Sequence, residues 1–134
     1  MDDYLAVEPL IISRLREQIP NTTIKSTWGA PKILENPDLA PAVLVFLEED
    51  KPNQENGTSQ KVEQIWLCLV VVSDAQNEAG PLISQVIKAM NFWQPPGETF
   101  TCFKRVKSNF SPDYSPNGVY YFPLAFSTSF IFEV

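Results

Sequence analysis

The chain contains no histidine, and that absence removes whole classes of chemistry. Ser-His-Asp and Cys-His nucleophile arrangements need an imidazole to carry the proton, and His-based zinc and haem sites need it as a ligand. Cysteine is nearly as scarce. Cys68 and Cys102 sit in apolar, strand-like contexts, too few for a four-cysteine metal site, so buried reduced thiols are expected rather than a disulfide. Five scattered glycines include neither GxxxxGK[ST] nor GxGxxG, so there is no phosphate cradle. No cofactor is expected from such a set. No apolar run approaches the about 20 residues of a membrane span, and no membrane partner is expected. The opening MDDYLAVEPLII carries two acids and no basic segment ahead of its apolar residues, which is wrong for a secretory leader. Without export, the sequons at Asn21, Asn56 and Asn109 carry no weight.

What is present is the material of a compact fold. Hydrophobic residues make up 44% and charged residues 19%, a globular balance, and 134 residues suffice for one core, so a single domain over 1–134 is expected. Twelve prolines against five glycines imply stiff connections. The net charge of −6 argues against a groove that grips nucleic acid through many phosphates, though not against DNA passing by.

Residues 61–73, KVEQIWLCLVVVS, organise the rest. Alternating polar and apolar residues give way to an unbroken apolar run from Ile65 to Val72, the pattern of a strand covered on both faces. Strand geometry puts Ile65, Leu67, Leu69 and Val71 on one side and Trp66, Cys68, Val70 and Val72 on the other. A buried helix is the competing reading; adjacent valines and a Ser-Asp stop favour strand.

Elsewhere, Val7, Ile11 and Leu15, with Ile12 and Ile19, form one stripe and predict a helix over residues 6–18, with Pro9 tolerated in its first turn. A short strand is expected over 22–27, then a turn and one helical turn over 28–38. Residues 42–48, AVLVFLE, read as a strand pairing antiparallel with the central one. Between them, 49–60 read as a long exposed polar loop, either functional or a tolerated insertion. A second helix is expected from caps at Ser73-Asp74 or Asn77 to about Asn91, with Leu82, Ile83, Val86, Ile87 and Met90 inward. Residues 99–106 read as a strand with Phe100, Cys102 and Val106 inward, and 108–118 as a turn-rich connection. The final strand, 119–134, alternates most clearly, with Tyr120, Phe122, Leu124, Phe126, Thr128, Phe130, Phe132 and Val134 on its core face. Pro123 in that strand demands a bulge or an edge. The sum is an α+β fold, two helices on one face of a mostly antiparallel four- to five-stranded sheet in the order α-β-β-β-α-β-β.

The remaining chemical candidates are thin. Glu48, Glu49 and Asp50 form an acidic run that can hold a divalent cation or act as acid and base, or can be a solvated strand end. Lys104, Arg105 and Lys107 fall on alternate faces of a strand and make no concentrated patch. Tyr120, Tyr121, Phe122 and Phe126 have the spacing of a stacking platform and equally of a core.

VEPLIISRLREQIP, PAVLVFLEED before a polar loop, KVEQIWLCLVVVSDAQNEAG leading to KAMNFWQPP, and YYFPLAFSTSFIFEV together resemble the tail terminator or tail completion proteins of long-tailed phages and Mu-like prophages. The resemblance spans the chain and rests on pattern, with no chemical signature to carry over. It implies a structural, nonenzymatic virion protein, assembled in the bacterial host cytoplasm and located in the tail. It further implies a homo-oligomeric ring, usually a hexamer, that caps the tail tube and stops its polymerisation. The implied partners are the chain itself, the tail tube protein and a head-completion or connector protein, with DNA passing through unbound. The polar segment is the candidate contact loop, through Lys51, Asn53, Gln54, Glu55, Asn56, Thr58 and Gln60. Two other classes remain open: a monomeric ligand- or adaptor-binding module, and a carboxylate-dependent enzyme using Glu48, Glu49 and Asp50.

Overall fold

The computed structural model describes residues 2–28, 40–53, 57–115 and 118–133. In chain order it contains α1 (Val7–Gln18), β1 (Thr23–Ser26), β2 (Ala42–Asn53), β3 (Ser59–Val72), a π-helical turn (Ala75–Ala79), α2 (Gly80–Met90), β4 (Lys104–Val106), β5 (Asp113–Tyr114) and β6 (Tyr120–Glu133). The expected order holds with one addition, the two-residue β5 inside the turn-rich connection. The turn and helical turn expected over 28–38 lie, from residue 29 on, outside the described residues.

The six strands form one mixed sheet in the order β1-β2-β3-β6-β4, with β5 beside β6. Only β1 and β2 pair in parallel, across Thr23↔Ala42 to Ser26↔Val45. The spine is the β3–β6 ladder, whose register runs unbroken from Ser59↔Glu133 to Val72↔Tyr120. Pro123 sits within it, opposite Leu69. On its other side β6 meets β5 only at Tyr120 and Tyr121 and β4 only from Ala125 to Ser127, so Pro123 falls where β6 is locally an edge. A missing N–H directed to that side costs no ladder bond.

Both helices lie on one face because their apolar stripes have nowhere else to go. Val7, Ile11 and Leu15 of α1 and Leu82, Val86 and Met90 of α2 close over Val43, Val45, Trp66, Cys68, Val70, Leu124 and Phe126. Arg14 joins the two helices, donating from Nε to the Ala89 carbonyl at 3.0 Å and placing its guanidinium over the Trp93 ring at 5.6 Å. Asp74 is the cap that forms: it accepts from the Asn77 backbone N–H at 3.3 Å, while Glu78 accepts from the Asp74 N–H at 3.1 Å. Pro81 has no N–H to return to residue 77, and the turn ahead of it is widened to π geometry before α2 becomes regular. Cys68 lies deep in this core, where burial pushes its thiol up to about 12 and leaves it protonated at neutral pH. Cys102 is half-buried, and both cysteines are free.

The segment before β4 departs from the expected strand. Phe100 and Phe103 are both buried, a three-residue spacing that strand geometry cannot place on one face. The chain therefore leaves the ladder: only Lys104–Val106 pair with β6, and Cys102 and Val106 are half-buried. Thr101 substitutes for ladder pairing, donating its N–H to the Ser129 carbonyl at 2.9 Å and accepting from the Ser129 N–H at its Oγ1 at 2.9 Å. Phe103 stacks on Trp93 at 5.6 Å, and Phe100 meets Phe130 edge-on.

The opposite face of the sheet holds a second, smaller apolar cluster of Ala42, Leu44, Ile65, Leu67, Leu69, Val71, Val119 and Ala125, with Phe46, Val106 and Tyr121 packed against it. The two sides of β3 thus divide as its alternation predicts, and the chain between β4 and β6 returns over the face the helices leave bare.

If that second face is interior within one chain, Leu67→Ala is expected to cost about 2–5 kcal/mol in urea denaturation, the same range expected of Leu124→Ala on the helical side. Ile131→Ala, at a 52% exposed position, will fall within about 0.5 kcal/mol of the parent. A near-neutral Leu67→Ala would show that this face is not closed in the isolated chain.

Candidate interaction surface

The polar segment expected to be a loop is mostly sheet. β2 runs on to Asn53 and β3 begins at Ser59, with Lys51↔Glu63, Pro52↔Val62 and Asn53↔Lys61 in register. Cross-strand pairing satisfies the backbone of polar residues as well as of apolar ones, so polarity alone did not mark the end of the strand. Of the candidate contact residues, Lys51 and Asn53 are exposed strand residues, Thr58 is an exposed turn residue and Gln60 is a half-buried strand residue. Gln54, Glu55 and Asn56 lie outside the described residues. The result is an antiparallel extension of β2 and β3, with β6 alongside as far as Ser59↔Glu133.

A β-bulge sets which way this extension faces. Leu47 pairs with Trp66 and Glu49 with Ile65, leaving Glu48 extra. Glu48 and Glu49 consequently both reach residues 108–109: Glu48 Oε1 accepts from the Ser108 hydroxyl and from the Asn109 backbone N–H at 3.1 Å, and Glu49 Oε1 accepts from the Asn109 side-chain amide. Asp50 turns to the other face, toward Tyr4 and Gln64. The acidic run is therefore split between two faces, and its three carboxylates do not converge on a shared cation or a substrate. Among the described residues no group of three or more His, Cys, Asp or Glu side chains is placed to hold a metal ion. The hydrogen bond from Asn109, with a smaller contribution from Lys51, holds the Glu49 carboxyl below its usual range.

With this latch closed, Phe110 sits edge-on to Phe46 at 6.2 Å between centroids. Phe46, Leu67, Leu69, Phe110 and Tyr121 then line an apolar pocket of about 270 Å³. Toward the tip the same face becomes polar and shallow. Lys51 lies 3.2 Å from Glu49 and 3.8 Å from Glu63, and Glu63 accepts from the Ser127 hydroxyl at 2.9 Å. Exposed ion pairs of this kind contribute about 0–1 kcal/mol each, so they set complementarity more than stability.

On the helical face the extension is held by a network that the sequence reading missed. Gln64 is fully buried between Val62 and Trp66. Its Oε1 accepts from the Trp66 indole at 3.2 Å, and its amide donates to the Tyr4 carbonyl and to Asp50, both at 3.3 Å. The Tyr4 hydroxyl donates to Asp50 at 3.0 Å, and its ring meets Phe130 and Phe132 edge-on. The one available signal was a polar residue at an inward position of an otherwise apolar strand, which is tolerated only when its donors and acceptors are met.

The other candidates do not assemble. Lys104 and Arg105 are adjacent residues of β4 on opposite faces, and Lys107 lies beyond its end. Phe126 is fully buried, and Tyr121 packs on the opposite face from Tyr120 and Phe122, so the four aromatics form no common platform. Among the described residues no helix is long and apolar enough to cross a membrane.

Burial, then the hydrogen bond and charge of Asp50, raise Tyr4 to about 12. A raised acid stabilises the fold fully below its unfolded value of 10.0 and loses that contribution as pH rises through about 12. Tyrosinate absorbance of the native protein is expected to contain a component near pH 12 that Tyr4→Phe removes. An unchanged titration in the variant would rule the network out.

Residues 1–134, the whole chain, match the family model described as Phage tail terminator protein. No curated protein matches the chain.

Proposed function

The chain belongs to the phage tail terminator family, with a structural role in the phage tail, and we propose that it forms a ring on the end of the tail tube, stops tube polymerisation and supports joining of the head. The observation that carries this is a family match over the full length, 1–134. In this reading the whole chain is one tail-terminator-like domain, and the ring is a homo-oligomer, most simply a hexamer. Its neighbours are the tail tube protein on one side and a head-completion or connector protein on the other, with assembly in the bacterial host cytoplasm.

The geometry supports such a role in two ways. The acidic run and the basic cluster are each dispersed over opposite faces, while the sheet extension is held rigidly from both sides. In addition, β2 beyond Val45 has no strand on its outer side among the described residues. A rigid, polar, latched projection suits repeated contact between subunits, where complementarity of charge sets register. The net charge of −6 also suits a channel through which DNA passes without adhering.

Deleting the gene from the phage genome that carries it and imaging the particles is the decisive test. Overlong or headless tails are expected; normal joined virions would refute the reading. The contact role of the segment from Lys51 to Gln60 is tested separately by linking Asn53 to Ser59 through a short turn, which keeps the paired residues. Attachment to tails is expected to fall sharply, and attachment at the parental level would remove the tip from the interface.

A further inference from the structure

Phe92 is the residue the fold has least use for as a phenylalanine. It follows the last turn of α2 with φ 63°, a left-handed conformation that a bulky side chain rarely adopts and that glycine or asparagine takes readily. Its side chain is 71% exposed, the most exposed of the large hydrophobic residues among those described. The backbone around it is nonetheless pinned. The Phe92 N–H donates to the Phe103 carbonyl at 2.8 Å, the Phe103 N–H donates to the Trp93 carbonyl at 2.8 Å, and Asn91 Oδ1 accepts the Arg105 N–H at 3.0 Å. Trp93 turns inward to stack on Phe103, leaving Phe92 as the outward residue of the pair. A strained conformation, held by surrounding bonds and displaying an apolar ring to solvent, is the arrangement of an anchor for something else.

The same chain carries a socket. The pocket beneath Phe110, lined by Phe46, Leu67, Leu69 and Tyr121, has a volume of about 270 Å³ and almost no polar lining. A dry apolar cavity of about 150 Å³ already accepts a benzene ring. The two features belong to separate parts of the fold: Phe92 follows α2 on the helical side, and the pocket opens on the opposite sheet face. A knob and a socket on different surfaces of one chain give a head-to-tail contact, which closes into a ring when the rotation between neighbours allows.

Building on the ring reading above, we propose that Phe92 of one copy inserts into the Phe46–Leu67–Leu69–Phe110–Tyr121 pocket of a second copy of this chain. The Glu48 and Glu49 latch on Ser108 and Asn109 then has a function: it holds Phe110 as the wall of the socket.

The test replaces Phe92 with p-benzoylphenylalanine in full-length chain supplied to a phage lacking the gene, followed by photolysis of assembled tails and peptide mapping. Cross-linked dimers of the chain joining position 92 to peptides carrying Phe46, Leu67, Leu69, Phe110 or Tyr121 are expected. Cross-links from position 92 only to a tail tube or head-side protein, or none although the chain is present in the tails, would overturn the knob and socket while leaving the terminator role standing. Absence of the parental chain, with Phe92 intact, from tails would instead overturn the terminator role and this inference with it. Phe92→Gly relieves the left-handed strain and should leave the isolated chain no less resistant to urea, while its incorporation into tails falls by at least about tenfold. Parental incorporation of that variant would also overturn the inference.

Discussion

Everything in this fold follows from β3 having no wet face over its apolar half. From Gln64 to Val72 each of its side chains is buried, so the sheet must be covered twice, and a single pair of helices covers it once. Helices α1 and α2 take the side of Trp66, Cys68 and Val70. The other side, with Leu67 and Leu69, is closed with help from Val106 at the end of β4 and from Phe110 and Val119 in the chain between β4 and β6. Irregular chain cannot lie over a sheet without anchors for its own polar groups. Glu48 and Glu49 supply them, and acidic residues at a strand end become a fastening for a covering segment.

The same constraint explains why the projecting part of the sheet is stiff. Beyond Glu49 the ladder of β2, β3 and β6 continues, and because a bare ribbon of strands is only marginally stable in water it too is covered on its helical side, where Val62 and Phe130 join the main core. Tyr4 and Gln64 extend that cover, the first with an aromatic ring against Phe130 and Phe132, the second with an amide that bonds Trp66, the Tyr4 carbonyl and Asp50. On the other side Lys51, Glu63 and Ser127 form a polar network across the strands. A surface can be hydrophilic and well ordered at once when its order comes from backbone pairing.

Much of this was legible in the sequence because it depends on periodicity. The inward stripe of α1, the two faces of β3, the core face of β6 and the Asp74 cap each follow from local spacing, and the structure agrees with them at the described residues, outside which Val134 lies. Pro123 was legible as a constraint, which a local edge satisfies without a bulge in β6. The failures share one cause. Residues 49–53 and 59–60 read as loop because they are polar, yet a strand tolerates polar residues at solvent-facing positions. Residues 99–106 read as one strand with Cys102 inward, whereas Phe100 and Phe103 both turn inward and only Lys104–Val106 pair with β6. Glu48 with Ser108, and Gln64 with Tyr4, are contacts across some 60 positions of chain, and no local pattern records such pairs.

The extra residue at Glu48 has one more consequence. Alternation along β2 keeps one phase up to Leu47 and the opposite phase after it, so even-numbered residues that face away from the helices before the bulge correspond to odd-numbered ones beyond it. The bulge thereby keeps the projecting strand in step with β3, whose own alternation is unbroken. Straightening the bulge with Glu48 retained would slip every pair beyond it by one residue and exchange the inside and outside of the tip, setting Asp50 opposite Glu63 and Lys51 opposite Val62. A whole surface of this protein is thus assigned by one residue of β2 standing outside the ladder.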